Sequence, residues 1–155
     1  MPQVTIGPFL LNVPEGWTLT TVVIAGPHEE QIGEAGERAF PRNLVATMER
    51  VNPEETPQHY VERQLAGLWK AGVEQYLDEQ EEVTLKGDLK GLLHESVIVG
   101  LDGSRVRQMQ LVCIKEGVAY TLIASDLDGE PFNAARQQFR EMLLSFCQPP
   151  EKTGD

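Results

Sequence analysis

The chain has 155 residues, enough for one domain with a proper core. Hydrophobic residues make up 41% and charged residues 24%, ordinary values for a soluble globular protein. Thirteen basic against 24 acidic residues give a net charge of -11. That balance argues against nucleic acid and anionic membrane surfaces as partners, since both attract basic patches.

The N-terminal stretch from Met1 to Pro8 has no basic leader running into a long apolar segment, so no signal peptide is expected. No run approaches the ~20 apolar residues of a membrane span. Cys113 and Cys147 show no metal-ligand spacing. They are expected to be reduced, mostly buried thiols in a cytoplasmic protein without a membrane anchor.

In chain order, Phe9–Val13 reads as a short strand closed by the turn Pro14-Glu15-Gly16, with Trp17 tucked against the core edge. Leu19–Ala25 reads as a second strand, placing Thr20, Val22 and Ile24 on one face. Gly26–Pro41 is rich in glycine and glutamate and reads as a loop. Strand character resumes over Asn43–Val51.

Thr56 is a helix cap and Pro57 suits the first helical position. From there to about Tyr76, the residues Val61, Leu65, Leu68, Trp69, Gly72 and Tyr76 form one stripe at helical spacing. Gln64 lies on its margin. Glu79–Leu85 and Leu92–Leu101 read as strands, the second with His94, Ser96 and Ile98 on one face. Asp102-Gly103 is a hairpin turn into Ser104–Ser125, itself a hairpin around Gly117.

Alternation divides the first strand of that hairpin. Val106, Gln108, Gln110, Val112 and Ile114 share one face, and Arg105, Arg107, Met109, Leu111 and Cys113 the other. Both faces are apolar in mid-strand, so one should pack under a helix and the glutamine-bearing one awaits another cover. A last helix is expected over Ala134–Phe146, capped at Asn133 or the residue before, with a phenylalanine-rich face. The expected fold is α+β: a mostly antiparallel sheet of about six strands with two main helices, both on one face. Residues 1–147 form the single domain, and 148–155 a disordered tail.

Local motifs give no chemistry. Asp126-Leu127-Asp128-Gly129-Glu130 lacks the later ligands of a calcium loop. His94-Glu95 has no second histidine at helical spacing. There is no phosphate loop, nucleophile elbow or dinucleotide fingerprint. No catalytic residue, metal or cofactor is therefore assigned, and the chain is not expected to be an enzyme.

The order of elements, however, resembles the DcrB-like family. The resemblance rests on Pro14-Glu15-Gly16-Trp17, Asn43-Leu44-Val45, Tyr60-Val61-Glu62-Arg63-Gln64-Leu65, Arg107-Gln108, Tyr120-Thr121-Leu122 and the closing phenylalanine-rich helix. It spans about Val4 to Phe146. Within the family, the chain is similar to the Eag-type chaperones of bacterial type VI secretion. The resemblance implies a Mog1/PsbP-like domain and a homodimer. It also implies a partner: the hydrophobic N-terminal helices of a secreted effector, including the rearrangement-hotspot (Rhs) type, kept soluble for loading on the secretion spike.

Position by position, the implied client groove takes Val22 and Ile24 after the tryptophan corner, Gln64 of the helix motif and Gln108 of the Arg-Gln motif. Gln110, on the same face as Gln108, is added by alternation. A β-branched surface hides an apolar helix from water, and glutamine amides bond to its backbone. Two other readings stand beside this one. Val22 and Ile24 are plain core and both glutamines are strand surface, or the chain is a DcrB- or PsbP-like accessory protein that binds a folded partner outside secretion.

Overall fold

A computed structural model describes residues 3–6, 9–15, 17–19, 24–27, 42–70, 72–100 and 103–146. At its centre lie two long strands, β8 (Arg105–Lys115) and β9 (Val118–Leu127). Glu116 and Gly117 join them with φ of 51° and 74°. Two successive positive φ values give the tight turn whose twist matches that of the flanking strands.

The other elements are β1 (Gln3–Ile6), β2 (Phe9–Asn12), β3 (Trp17–Leu19), β4 (Ile24–Pro27), β5 (Asn43–Arg50), α1 (Pro57–Lys70), β6 (Glu74–Leu85), β7 (Leu89–Val99) and α2 (Glu130–Leu144). Strands β1 and β2 form a separate two-stranded ribbon. The main sheet has seven strands in the order β3-β4-β5-β9-β8-β7-β6, and every pairing is antiparallel. After β5 the chain crosses through α1 to the far edge, then meanders back through β7 and β8 until β9 closes against β5. Among the described residues the fold is α+β with two helices, as the element pattern implies.

The two helices lie on opposite faces of the sheet, which corrects the expectation that they share one. Helix α2 packs on β8, β9 and β2, whereas α1 packs on β6, β7 and β8. The α2 face holds the main core. Phe132, Phe139, Met142 and Leu143 press on Met109, Leu111, Cys113, Leu122 and Ala124. Each phenylalanine buried there contributes roughly 1.5–3 kcal/mol. On the α1 face the described residues bury Tyr60, Val61, Leu92, Val112 and Ala119 in a second, smaller cluster. Among the described residues, helix α1 thus seals part of its face.

Three boundaries differ from the sequence reading. Helix α1 stops at Lys70 because Gly72 takes φ of 83°. There the Gly72 amide donates to the Trp69 carbonyl and the Val73 amide to that of Leu68, a glycine-closed helix end. Tyr76 therefore belongs to β6, where it meets Trp69 edge-on at 5.5 Å between ring centroids. The strand expected over Leu19–Ala25 is divided between β3 and β4, which pair with each other. Helix α2 begins at Glu130, earlier than Ala134, since Pro131 fits its first turn, where no amide is needed. The start of α1 is as read: the Thr56 hydroxyl accepts from the His59 amide at 3.2 Å. The Trp17 side chain, Val22, most of the Gly26–Pro41 loop, Cys147 and the tail lie outside the described residues.

Candidate functional site

A cavity of about 330 Å³ lies between α1 and the sheet. Its roof is the underside of α1, with Val61, Gln64, Leu65 and Leu68. Its floor comes from alternate residues of five strands, as the period of two requires: Thr47, Thr121 and Ile123, then Gln108, Gln110 and Val112, then His94 and Ile98, then Gln75 and Leu77.

The register explains why these meet. Gln110 stands opposite His94 on one side and Ile123 on the other, and Ile123 stands opposite Val45. Ile24 of β4 is the next position along the same row, opposite Val45. Gln108 lies one row over, between Ser96 and Ser125. Of the residues implied for the groove, Gln64, Gln108 and Gln110 border one cavity. Ile24 lies in line with Gln110 in the ladder, and Val22 is outside the described residues.

The polar groups of the floor are unevenly satisfied. Gln75 Nε2 donates to Ser96 Oγ at 2.7 Å, and Gln110 Nε2 donates to Gln108 Oε1 at 3.1 Å. His94 is 3% exposed, and neither ring nitrogen has a hydrogen-bond partner of good geometry. Burial pushes its pKa down to about 4, although the Glu95 backbone and the Gln110 amide oppose the shift. The imidazole is therefore neutral at pH 7, with one donor and one acceptor. Thr121 Oγ1 is also buried without a bond of good geometry, and the nearby Tyr60 hydroxyl is committed to Glu49. Among the described residues, no carboxylate, lysine or arginine lines the cavity.

The opposite face carries a larger cleft, about 750 Å³, against α2. Its chemistry is already closed. Arg107 donates to Asp128 at 2.8 Å, Asp78 at 2.9 Å and Glu95 at 3.2 Å. The Arg107 contact holds the Asp128 carboxyl below its ordinary range. Arg136 bonds Glu95 at 2.9 Å, and Arg140 bonds Glu81 at 2.9 Å. These pairs fasten α2 to the sheet and leave no guanidinium of the cleft uncommitted. The α1 cavity is the better binding site despite its smaller size, because two of its buried polar side chains, His94 and Thr121, lack hydrogen bonds of good geometry.

Among the described residues, no group of three or more His, Cys, Asp or Glu is placed to hold a metal. Asp126 is engaged by Arg42 at 2.9 Å, so both aspartates of the Asp126–Glu130 turn serve ion pairs. No described helix is long and apolar enough to cross a membrane.

Sequence reasoning missed His94, Thr121 and Gln75. The turn alone could not place His94: counting outward from a two-residue Asp102-Gly103 turn sets it opposite Leu111, one residue away from its actual partner Gln110 and therefore on the wrong face.

No family model matches the chain, and no curated protein matches it. Solved structures do. The chain is similar to the cyanobacterial PsbP protein CyanoP of Synechocystis sp. PCC 6803, with 13% identity over 96% of this chain and 92% of that one, at a TM-score of 0.68. A Pseudomonas aeruginosa protein of unknown function, PA94, matches at 13% identity over 97% and 98% of the two chains, with a TM-score of 0.64. A point mutant of Mog1 matches at 9% identity over 95% of each, with a TM-score of 0.57. At these identities the likeness defines the fold alone. The protein has a PsbP/Mog1-like fold, and its described residues enclose a cavity under α1.

Proposed function

We propose that the protein is a non-enzymatic, cytoplasmic chaperone of the Eag type. It binds hydrophobic N-terminal helices of a type VI secretion effector and keeps them soluble until they are loaded on the spike. One observation carries the reading: Gln64 of α1 and Gln108 and Gln110 of β8, distant in sequence, border the same cavity. Around them the lining is apolar or neutral, which suits a membrane-type helix removed from lipid. Glutamine is apt there because its amide both donates and accepts.

The proposed working form is a homodimer, in which a second copy limits exposure of the client-binding face. Light scattering that gives a monomer mass at every concentration overturns the dimer. The chaperone reading is tested by co-expression with the N-terminal fragment of an effector encoded beside this gene. Recovery of a soluble complex is expected. A fragment that stays insoluble with and without this protein overturns the reading and leaves the accessory-protein alternative.

A further inference from the structure

His94 is a costly residue where it stands. An unsatisfied buried polar group destabilises a fold, and at a position 3% exposed neither His94 nitrogen has a hydrogen bond of good geometry, although the Glu95 backbone and the Gln110 amide lie close. Of its neighbours on the α1 face, Leu92 is apolar and Ser96 is polar but bonded by Gln75 at 2.7 Å, so His94 is the member of the three whose polar atoms lack a well-formed bond.

The edge strand is irregular beside it. Leu77 pairs with Ser96 and Gln80 with His94, so Asp78 and Glu79 together stand opposite Glu95 alone. Such a bulge re-aims nearby side chains, and bulges concentrate beside binding sites. His94 borders the cavity together with Thr121, the other buried side chain among the described residues without a hydrogen bond of good geometry.

We infer that His94 is a specificity-determining contact of this cavity, hydrogen-bonding an uncharged amide or hydroxyl side chain carried by an otherwise apolar client helix. The inference rests on the client-binding reading and adds the chemistry the client must present. A charged client side chain is rejected, because none of the described lining residues offers a counter-charge and desolvation is left uncompensated. A wholly apolar client leaves the imidazole nitrogens without a well-formed bond, whereas a neutral amide or hydroxyl can bond one of them without burying a charge.

The test uses the full-length protein and synthetic lysine-flanked Leu/Ala helices of about 20 residues in nonionic detergent, each with one central guest. The guests are Leu, Gln, Glu and Lys, and binding is read by fluorescence anisotropy. The Gln guest is expected to bind on the order of tenfold tighter than the Leu guest, and the Glu and Lys guests weaker than both. In His94→Leu the Leu guest binds undiminished, the Gln preference is lost, and the melting temperature rises. His94→Gln, which keeps a donor and an acceptor, retains the preference. Imidazole nitrogen resonances of labelled wild-type protein shift with the Gln guest and not with the Leu guest. Guest-independent binding, or a Gln preference that survives in His94→Leu, overturns the role of His94 and leaves the chaperone reading standing. Failure of every peptide, the Leu guest included, overturns both.

Discussion

Tyr60 Oη donates to Glu49 Oε2 at 2.6 Å, tying the first turn of α1 to the outer end of β5. Burial and, next, the Glu49 contact push the phenol up to about 12. The same carboxylate oxygen receives Gln64 Nε2 at 3.5 Å, so it also steadies a roof residue of the cavity. Tyr60→Phe keeps the buried ring and removes this tie. It should cost about 1 kcal/mol, the lower part of the range for a bond to a charged group, because Glu49 is itself exposed and regains water. Urea melts measure this, and hydrogen exchange should accelerate in α1 before it does in α2. Equal protection of α1 in both proteins counts against the tie.

Gly91 stands directly opposite Cys113 in the ladder, and a Cβ built on it falls 2.8 Å from Cys113 Sγ and 3.2 Å from the Val112 carbonyl oxygen. Gly91→Ala should therefore destabilise by about 1–3 kcal/mol through overpacking. Adding Cys113→Ala removes the sulfur and should restore part of that loss, although the Val112 oxygen cannot retreat. Denaturant melts of the two single variants and the double variant form the cycle, and strict additivity would refute the clash. Burial pushes the Cys113 thiol up to about 12. Native protein should thus resist alkylation at Cys113 near pH 8, while unfolded protein reacts.

The central hairpin was legible because its signals agree. Gly117 marks the turn, and alternation sorts Gln108 and Gln110 from Leu111 and Cys113 whatever the neighbouring strands do. Gln64 was legible only as the margin of a stripe. That it roofs a cavity depends on which face α1 covers, and a stripe carries no such information. Either helix would bury its apolar residues equally well on either face. The route from β5 across to the far-edge strand β6 decides it, and that route is a long-range property. Tyr76 was misplaced for a local reason: the helical stripe runs on past Gly72, but only a residue tolerant of positive φ reveals where the helix closes. The ion pairs of Arg107 with Asp78, Glu95 and Asp128 unite four elements or turns and leave no mark in local sequence.

For the groove, two substitutions should differ in severity. Ile24→Asp sets a carboxylate in the row that leads through Val45 and Ile123 to Gln110. Against an apolar client, desolvating that charge costs several kcal/mol, so capture should be abolished. Gln108→Ala removes hydrogen bonds worth ~0.5–1.5 kcal/mol each and should only weaken capture. Circular dichroism and melting come first, because a purely core role for Ile24 leads to unfolding instead. Co-purification of the effector fragment with each folded variant is the readout. Undiminished capture by folded Ile24→Asp protein removes Ile24 from the groove.

The last prediction concerns acid. The His94 pKa lies near 4 in the folded protein, against an ordinary value of ~6.5 when unfolded. Between those values the unfolded chain binds a proton that the folded one refuses. Stability from this site is therefore fully present above pH ~6.5 and is lost as the pH falls toward 4. A shift of this size corresponds to about 3 kcal/mol. Carboxylates contribute in the same direction, since arginine contacts hold Asp128 and Glu81 below their ordinary values. Comparison with His94→Leu cancels them, because both proteins keep those pairs. The stability advantage of His94→Leu should widen by about 2–3 kcal/mol between pH 7 and pH 4.5, measured by urea melts at each pH. A constant difference across that window would mean that the imidazole reaches a proton-accepting partner or water in the folded state, and its place in the cavity would have to be redrawn.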